Sequence, residues 1–446
     1  MRFFYTIILL LINFTLSAQI KQVEQPTFKS FEPISTTTSG STNNYGQNNN
    51  RVLSPAEQSN YALIGQSTSS ADQKRKEYAL FLREERQEEI KQQFLLLKNK
   101  STDSSKINEV NALKSKFRLA NYNSSVYISK SKYYFSAAQE LKQMLEGKTP
   151  INLKRAVFCV ENAWYGNTKT YKHFCNSINQ LTWLCKEVLR QENKTESDIQ
   201  ACHQAIQKLY KDTIFVKKAD GTIKIFPPLK YDFNDFFGAK NYSKLFVTKL
   251  LETKSGQCHS LPLLYLILAK ELNVDAYLAI APNHSYVKYP IGSNMYSFEC
   301  TSAQKVSDSW MVASGYISSM AIKNGIYLAP LTQKEAVAQF LNDLCNEYQL
   351  EFGFDDFVLL QSQLSIKHYP MGISAMLNIS NCVTAYCFFM AEKYKFPPLE
   401  KMNQYPELKK RYDLMLDLEK DIDALGYIKI PNEEYAKWLN SANNNE

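Results

Sequence analysis

The spacing of apolar and polar positions changes along the chain, and each change marks a new kind of element. Residues 19–72 have almost no apolar rhythm. Ser, Thr, Asn, Gln and Gly dominate there, as in STTTSGSTNNYGQNNN at 36–50. So little apolar surface cannot offset ordering entropy, and this stretch reads as a disordered tether. From 73 onward, charges of both signs alternate while Leu80, Leu82, Ile90, Phe94 and Leu97 recur near helical spacing. This predicts a charged helical segment within 73–129, either a projecting coiled-coil strut or a solvated amphipathic helix. Between 130 and 212 the helical period continues. It gives helices over 153–166, where Gly166 is placed to cap the C-terminus, and over about 170–190 and 196–210.

The period drops to two in DTIFVKKADGTIKIFPP (212–228), where Asp220-Gly221 between β-branched runs signals a hairpin. Helices over about 241–253 and 258–272 follow, then strands in VDAYLAIA (274–281), SYVKY (285–289) and NMYSFEC (294–300). Helical period returns at 333 in four segments: 333–349 with 354–368, and 372–394 with 406–426. These form two antiparallel pairs whose corresponding helices start roughly 40 residues apart. The domain over 333–446 therefore resembles tetratricopeptide-type repeats, although the consensus Trp, Gly and Tyr spacing is not present. Such pairs either offer a groove to a protein partner or buttress the preceding domain.

Composition narrows the class. Only 14 Gly and 15 Pro in 446 residues argue against collagen-like, propeller-like and loop-dominated chains, and 44% hydrophobic residues exclude wholesale disorder. The balance of 52 Lys+Arg against 44 Asp+Glu leaves +8, too mild to imply nucleic acid as a partner. Residues 1–18, MRFFYTIILLLINFTLSA, combine Arg2, an apolar core over 7–16 and small residues before Gln19. This is the pattern of a secretory signal peptide. No cysteine precedes Cys159, so a lipoprotein anchor near residue 19 is excluded, and no later stretch reads as a transmembrane span. The expected location is periplasmic or secreted. An oxidising compartment permits disulfides among the nine cysteines, for example among Cys159, Cys175, Cys185 and Cys202.

The chemistry concentrates in KSGQCHSLPLLYLILAKELNVDAYLAIAPNHSYVKYPIGSNMYSFECTS, residues 254–302. Ser255-Gly256 supply flexible backbone, Pro262 suits a first helical turn, and Leu261, Leu264, Tyr265, Leu268 and Leu272 fall on one face. Cys258 thus stands at the start of an apolar helix, where exposed amides and the macrodipole favour a thiolate. His284, one of five histidines, opens the second strand. A four-residue turn over 290–293 would set Tyr289 opposite Asn294 and His284 directly opposite Glu299. A carboxylate there fixes the imidazole tautomer, as the orienting half of a nucleophilic triad does. A one-residue change in that turn would send Glu299 to the other face.

Gly256-Gln257-Cys258 opening a helix, then a His on a strand and an acid on the next strand, resembles the transglutaminase-like superfamily. It is most similar to a bacterial branch that carries helical repeats after the catalytic core. The resemblance implies an α+β fold, with a papain-like transglutaminase core within 130–332 flanked by helical regions. It makes Cys258 the nucleophile, His284 the base and Glu299 the orienting acid, where family members more often have Asp. His259 stands where an aromatic residue often follows the nucleophile. The Cys258 amide is a first oxyanion donor, and the sequence does not place a side-chain donor. Adjacent Cys258 and His259 lack zinc spacing, and no phosphate loop or dinucleotide fingerprint occurs, so no metal or cofactor is expected. The implied activity is thiol-dependent acyl chemistry on an amide of a protein or peptide, including cell-wall peptide. Water as acceptor gives a peptidase or amidase, and an amine gives a cross-linking enzyme. The alternative is a non-catalytic binding or scaffold protein that retains the fold.

Overall fold

A computed structural model describes residues 88–98, 104–312 and 317–430. All of them belong to one compact unit, 54–446. The expected leader (1–18) and tether (19–72) lie outside the described residues. The protein is mixed helix and sheet, and helices predominate.

The first described helix, α1 (88–98), corrects the expectation of a projecting or solvated segment. Phe94 is buried and meets the rings of Phe388, Phe396 and Tyr412 edge-on, at 5.3, 6.1 and 5.8 Å. The apolar stripe has its partner inside the chain. Helices α2 (Ser104–Lys116), α3 (Ser125–Leu145), α4 (Leu153–Trp164), α5 (Tyr171–Gln191) and α6 (Ile199–Lys211) follow. The hairpin β1 (Ile214–Lys217) with β2 (Ile223–Phe226) forms as expected and pairs Ile214 with Phe226. Asp220 Oδ1 accepts from the Thr222 amide in its turn, and Gly221 takes the positive φ.

Two two-residue strands, β3 (Lys230–Tyr231) and β4 (Ser255–Gly256), pair in parallel on either side of α7 (Val247–Thr253). Helix α8 (Ser260–Glu271) is apolar all round, and every residue from Ser260 to Ala269 is buried, which makes it the central helix. The Tyr210 hydroxyl of α6 donates to the Leu261 carbonyl at 2.9 Å. In the same aromatic cluster, Tyr265 packs against Tyr289 and Phe298 of the main sheet.

That sheet has the order β8-β7-β6-β5-β9, with every neighbour antiparallel. Its strands are β5 (Tyr277–Ala281), β6 (His284–Ile291), β7 (Asn294–Glu299), β8 (Gln304–Val306) and β9 (Pro330–Leu331). Here the expected register is corrected. Ile291 pairs with Asn294, and Pro290 lies inside the strand opposite Met295. The turn is therefore the two residues Gly292-Ser293, with Gly292 at φ +60°. The slip is two residues, an even number, so Glu299 keeps its face but sits diagonal to His284 rather than opposite it. The sheet face that carries Tyr286 is covered by Ala321, Ile322 and Ile326, with Ile373 and Ile422 from later helices.

Helices α9 (Asp308–Val312) and α10 (Ser319–Asn324) lead to α11 (Gln333–Phe352), α12 (Asp356–His368), α13 (Ile373–Lys393) and α14 (Pro406–Ala424). The first pair is antiparallel: Asn342 donates to Ser365 at 3.1 Å, and Tyr348 donates to Asp355. Its helix α11 is buried around its whole circumference and packs on α3 and α4, with Tyr134 edge-on to Tyr348 and Phe352. Of the two roles open to these pairs, α11 buttresses. Among the described residues, one helix, α13, is long and apolar enough by length and composition to cross a membrane, a stretch that the sequence reading did not single out. Of its most apolar stretch, 67% is buried inside the protein. The apolar face therefore serves the core. No disulfide joins any of the nine cysteines.

Candidate active site

The turn before α8 is held from both sides. The Asp232 amide donates to the Gly256 carbonyl at 2.7 Å, and the Gln257 amide donates to Ser260 Oγ at 3.0 Å. Gly256 is pressed so closely that an added Cβ would lie 2.8 Å from Ser260 Oγ and 3.0 Å from Leu250. The Ser285 hydroxyl of β6 donates to the Cys258 carbonyl at 2.6 Å, which ties the sheet to this turn. Cys258 itself lies just before His259, the helix N-cap, and is buried, with Sγ 3.8 Å from the Asn283 carbonyl. A thiol there faces the positive end of the helix.

His284 follows the tight turn Pro282-Asn283, in which Asn283 takes φ +54°. Its Nε2 is 2.6 Å from Glu299 Oε2, and both side chains are sealed from solvent, at 2% and 1% exposure. The other carboxylate oxygen, Oε1, accepts from the Thr301 amide at 2.9 Å and from its hydroxyl at 2.7 Å. Burial alone would lower the His284 pKa. The Glu299 charge and hydrogen bonds with Cys258 and Glu299 outweigh it and raise the value to about 10. Burial likewise acts to raise the Glu299 pKa, but the His284 charge and the Thr301 bonds bring it below the ordinary value. The two groups therefore persist as imidazolium and carboxylate. Cys258, His284 and Glu299 come together as the sequence anticipated, although Glu299 arrives from a different register position.

Two contributions were not anticipated. Tyr231 lies beside Gly256 in the β3–β4 pair. Its hydroxyl is buried with no hydrogen-bond partner among the described residues. Burial first, then the charges of Cys258 and Glu299, push its pKa up, which puts the phenol at the same site. A strand two residues long leaves no period to read. Asp343 of α11 is the second contribution: its Oδ2 is 3.1 Å from Nε2 of His259. Eighty-four positions separate those residues in the chain, so no local pattern links them. Among the described residues, no group of three His, Cys, Asp or Glu side chains is arranged to hold a metal ion.

The chain matches no protein-family model, no curated protein and no solved structure.

Proposed function

We propose that this chain is an exported cysteine enzyme of the transglutaminase-like type, with a papain-like core, acting on amide bonds of a protein or peptide. The observation that carries the reading is the sealed 2.6 Å His284–Glu299 pair, with the Cys258 side chain, at a helix start, among the groups that raise the His284 pKa. In this arrangement the Cys258 thiolate attacks the amide carbonyl and forms a C–S bond. The oxyanion is met by the Cys258 amide and the Tyr231 hydroxyl, donors aimed where charge develops. The His284 imidazolium passes its proton to the leaving amine as the C–N bond breaks. Water or a second amine then attacks the acyl-thioester, with His284 taking the proton back. Glu299 holds the imidazole orientation and its charge. The repeat-like helices after 332 support the core, so the substrate cleft belongs to the Cys258 end of the sheet.

One assay separates the outcomes. The full chain is incubated with a denatured protein and a fluorescent primary amine. New peptides indicate hydrolysis, and amine incorporation indicates cross-linking chemistry. If neither appears, and Cys258 alkylates no faster than in the unfolded chain, the protein is a scaffold and the proposal fails.

A further inference from the structure

His259 follows the nucleophile directly, and both of its ring nitrogens are engaged. Nδ1 is 3.1 Å from the Leu245 carbonyl oxygen, and Nε2 is 3.1 Å from Asp343 Oδ2. A carbonyl and a carboxylate only accept hydrogen bonds. A ring bonded to both must donate from both nitrogens, and an imidazole that donates twice carries a positive charge. Asp343 is itself fixed, because its Oδ1 accepts from Gln339 Nε2 at 3.1 Å. Helix α11 therefore delivers a clamped anion to the residue beside Cys258.

We propose that His259, held as an imidazolium between Leu245 and Asp343, is a second fixed positive charge that stabilises the Cys258 thiolate. It is a positioning residue: it acts on the nucleophile through charge and never exchanges a proton with substrate. The proposal rests on the reading of Cys258 as a nucleophile. The surrounding groups agree with it. Burial would lower the His259 pKa, but Asp343, the Leu245 carbonyl and the charge of Cys258 raise it to about 9. The other titratable groups on the packed elements are Glu161 of α4, whose pKa burial raises to about 7 while the His259 charge opposes, and Glu347 of α11, whose pKa burial and the charges of Glu161, Asp343 and Glu351 push up. Tyr242 lies near Glu347 and Asp343, and burial keeps its phenol protonated. Cys258 thus stands between two His–carboxylate pairs with different duties. His284–Glu299 moves a proton, and His259–Asp343 keeps one.

The test is the pH dependence of Cys258 alkylation by iodoacetamide in the full chain, read on the Cys258 peptide by mass spectrometry, for wild type, His259→Gln, Asp343→Asn and Asp343→Glu. The expected result is that His259→Gln and Asp343→Asn raise the midpoint by at least one pH unit. That is a tenfold loss of thiolate at fixed pH below it. Asp343→Glu recovers most of the shift. Folding is checked by near-ultraviolet circular dichroism, and a variant that fails to fold leaves the remaining variants to decide. Midpoints within 0.3 units of wild type in folded variants overturn the proposal while the nucleophile reading stands. A wild-type midpoint equal to that of the unfolded chain overturns both.

Discussion

Replacing Glu299 by Gln keeps the side-chain volume and removes one charge from a pair that solvent does not reach. His284 holds its proton up to about 10 against an ordinary 6.5, a difference worth roughly 5 kcal/mol at about 1.4 kcal/mol per unit. The Glu299 charge supplies the largest favourable part of it, and burial opposes it. Without the carboxylate, the His284 pKa falls to its ordinary value or below, and less than about a tenth of the ring stays protonated at pH 7.5. The thiolate that depends on that proton recedes with it. The expected outcome is at least a tenfold slower alkylation of Cys258 at pH 7.5, measured on its peptide after a timed iodoacetamide pulse. Stability offers a second readout. The raised His284 contributes stability that is complete below pH 6.5 and is lost as pH rises through about 10. The lowered Glu299 contributes above pH 4.5 and loses its share as pH falls through its folded value. The wild-type advantage over Glu299→Gln in urea is therefore greatest between about pH 4.5 and 6.5, at about 3–5 kcal/mol for a broken buried pair. It shrinks toward pH 10. A folded Glu299→Gln protein that alkylates within twofold of wild type, with a urea midpoint indifferent to pH, refutes the charge assignment.

Three further outcomes follow from the same geometry. His284→Ala brings Cys258 alkylation at neutral pH down to that of an ordinary thiol and lowers amide turnover by at least about a thousandfold; retained turnover contradicts the triad. Gly256→Ala forces a Cβ against Ser260 Oγ and Leu250 and costs about 1–3 kcal/mol in urea unfolding; a loss under about 0.5 kcal/mol means the turn has room to shift. Tyr231→Phe lowers turnover by about a hundredfold or more and leaves the Cys258 alkylation profile in place; equal turnover removes Tyr231 from the oxyanion site.

The candidate residues that sequence marked out are those whose signals are local. Cys258 stands between a Gly and an apolar helix, and His284 opens an alternating strand. The α+β character was legible in the switches of period. Glu299 was found by a register that proved wrong by two residues. Pro290 suggested a turn, but a proline opposite Met295 is tolerated within β6, and Gly292 supplies the positive φ that the tighter turn requires. The error left Glu299 on the face of His284, in contact with it, because side chains alternate with a period of two. Phe94 was misread because its partners, Phe388 and Phe396, lie about 300 positions away. Tyr231 and Asp343 reach the site through tertiary packing alone. Periodicity says that a residue is on a face, not what that face meets.

The same limit applies to the helices after 332, and there the structure gives a decisive test. A detachable partner-binding module predicts that residues 1–332 fold without it. Helix α11 argues otherwise. Val337, Phe340, Leu341, Leu344, Tyr348 and Phe352 are all buried, and the Tyr134 hydroxyl of α3 donates to Glu351 at 2.9 Å. Six such side chains contribute on the order of 10 kcal/mol by burial, as much as the whole net stability of an ordinary domain. Removing α11 also strips Asp343 from His259 and uncovers α3 and α4. A chain ended at 332 is therefore expected to show no cooperative unfolding transition in urea, and its Cys258 to react as an unfolded thiol. A truncated chain that melts cooperatively and keeps a fast-reacting Cys258 would return the helices to the status of a separate module and leave the nucleophile without need of α11.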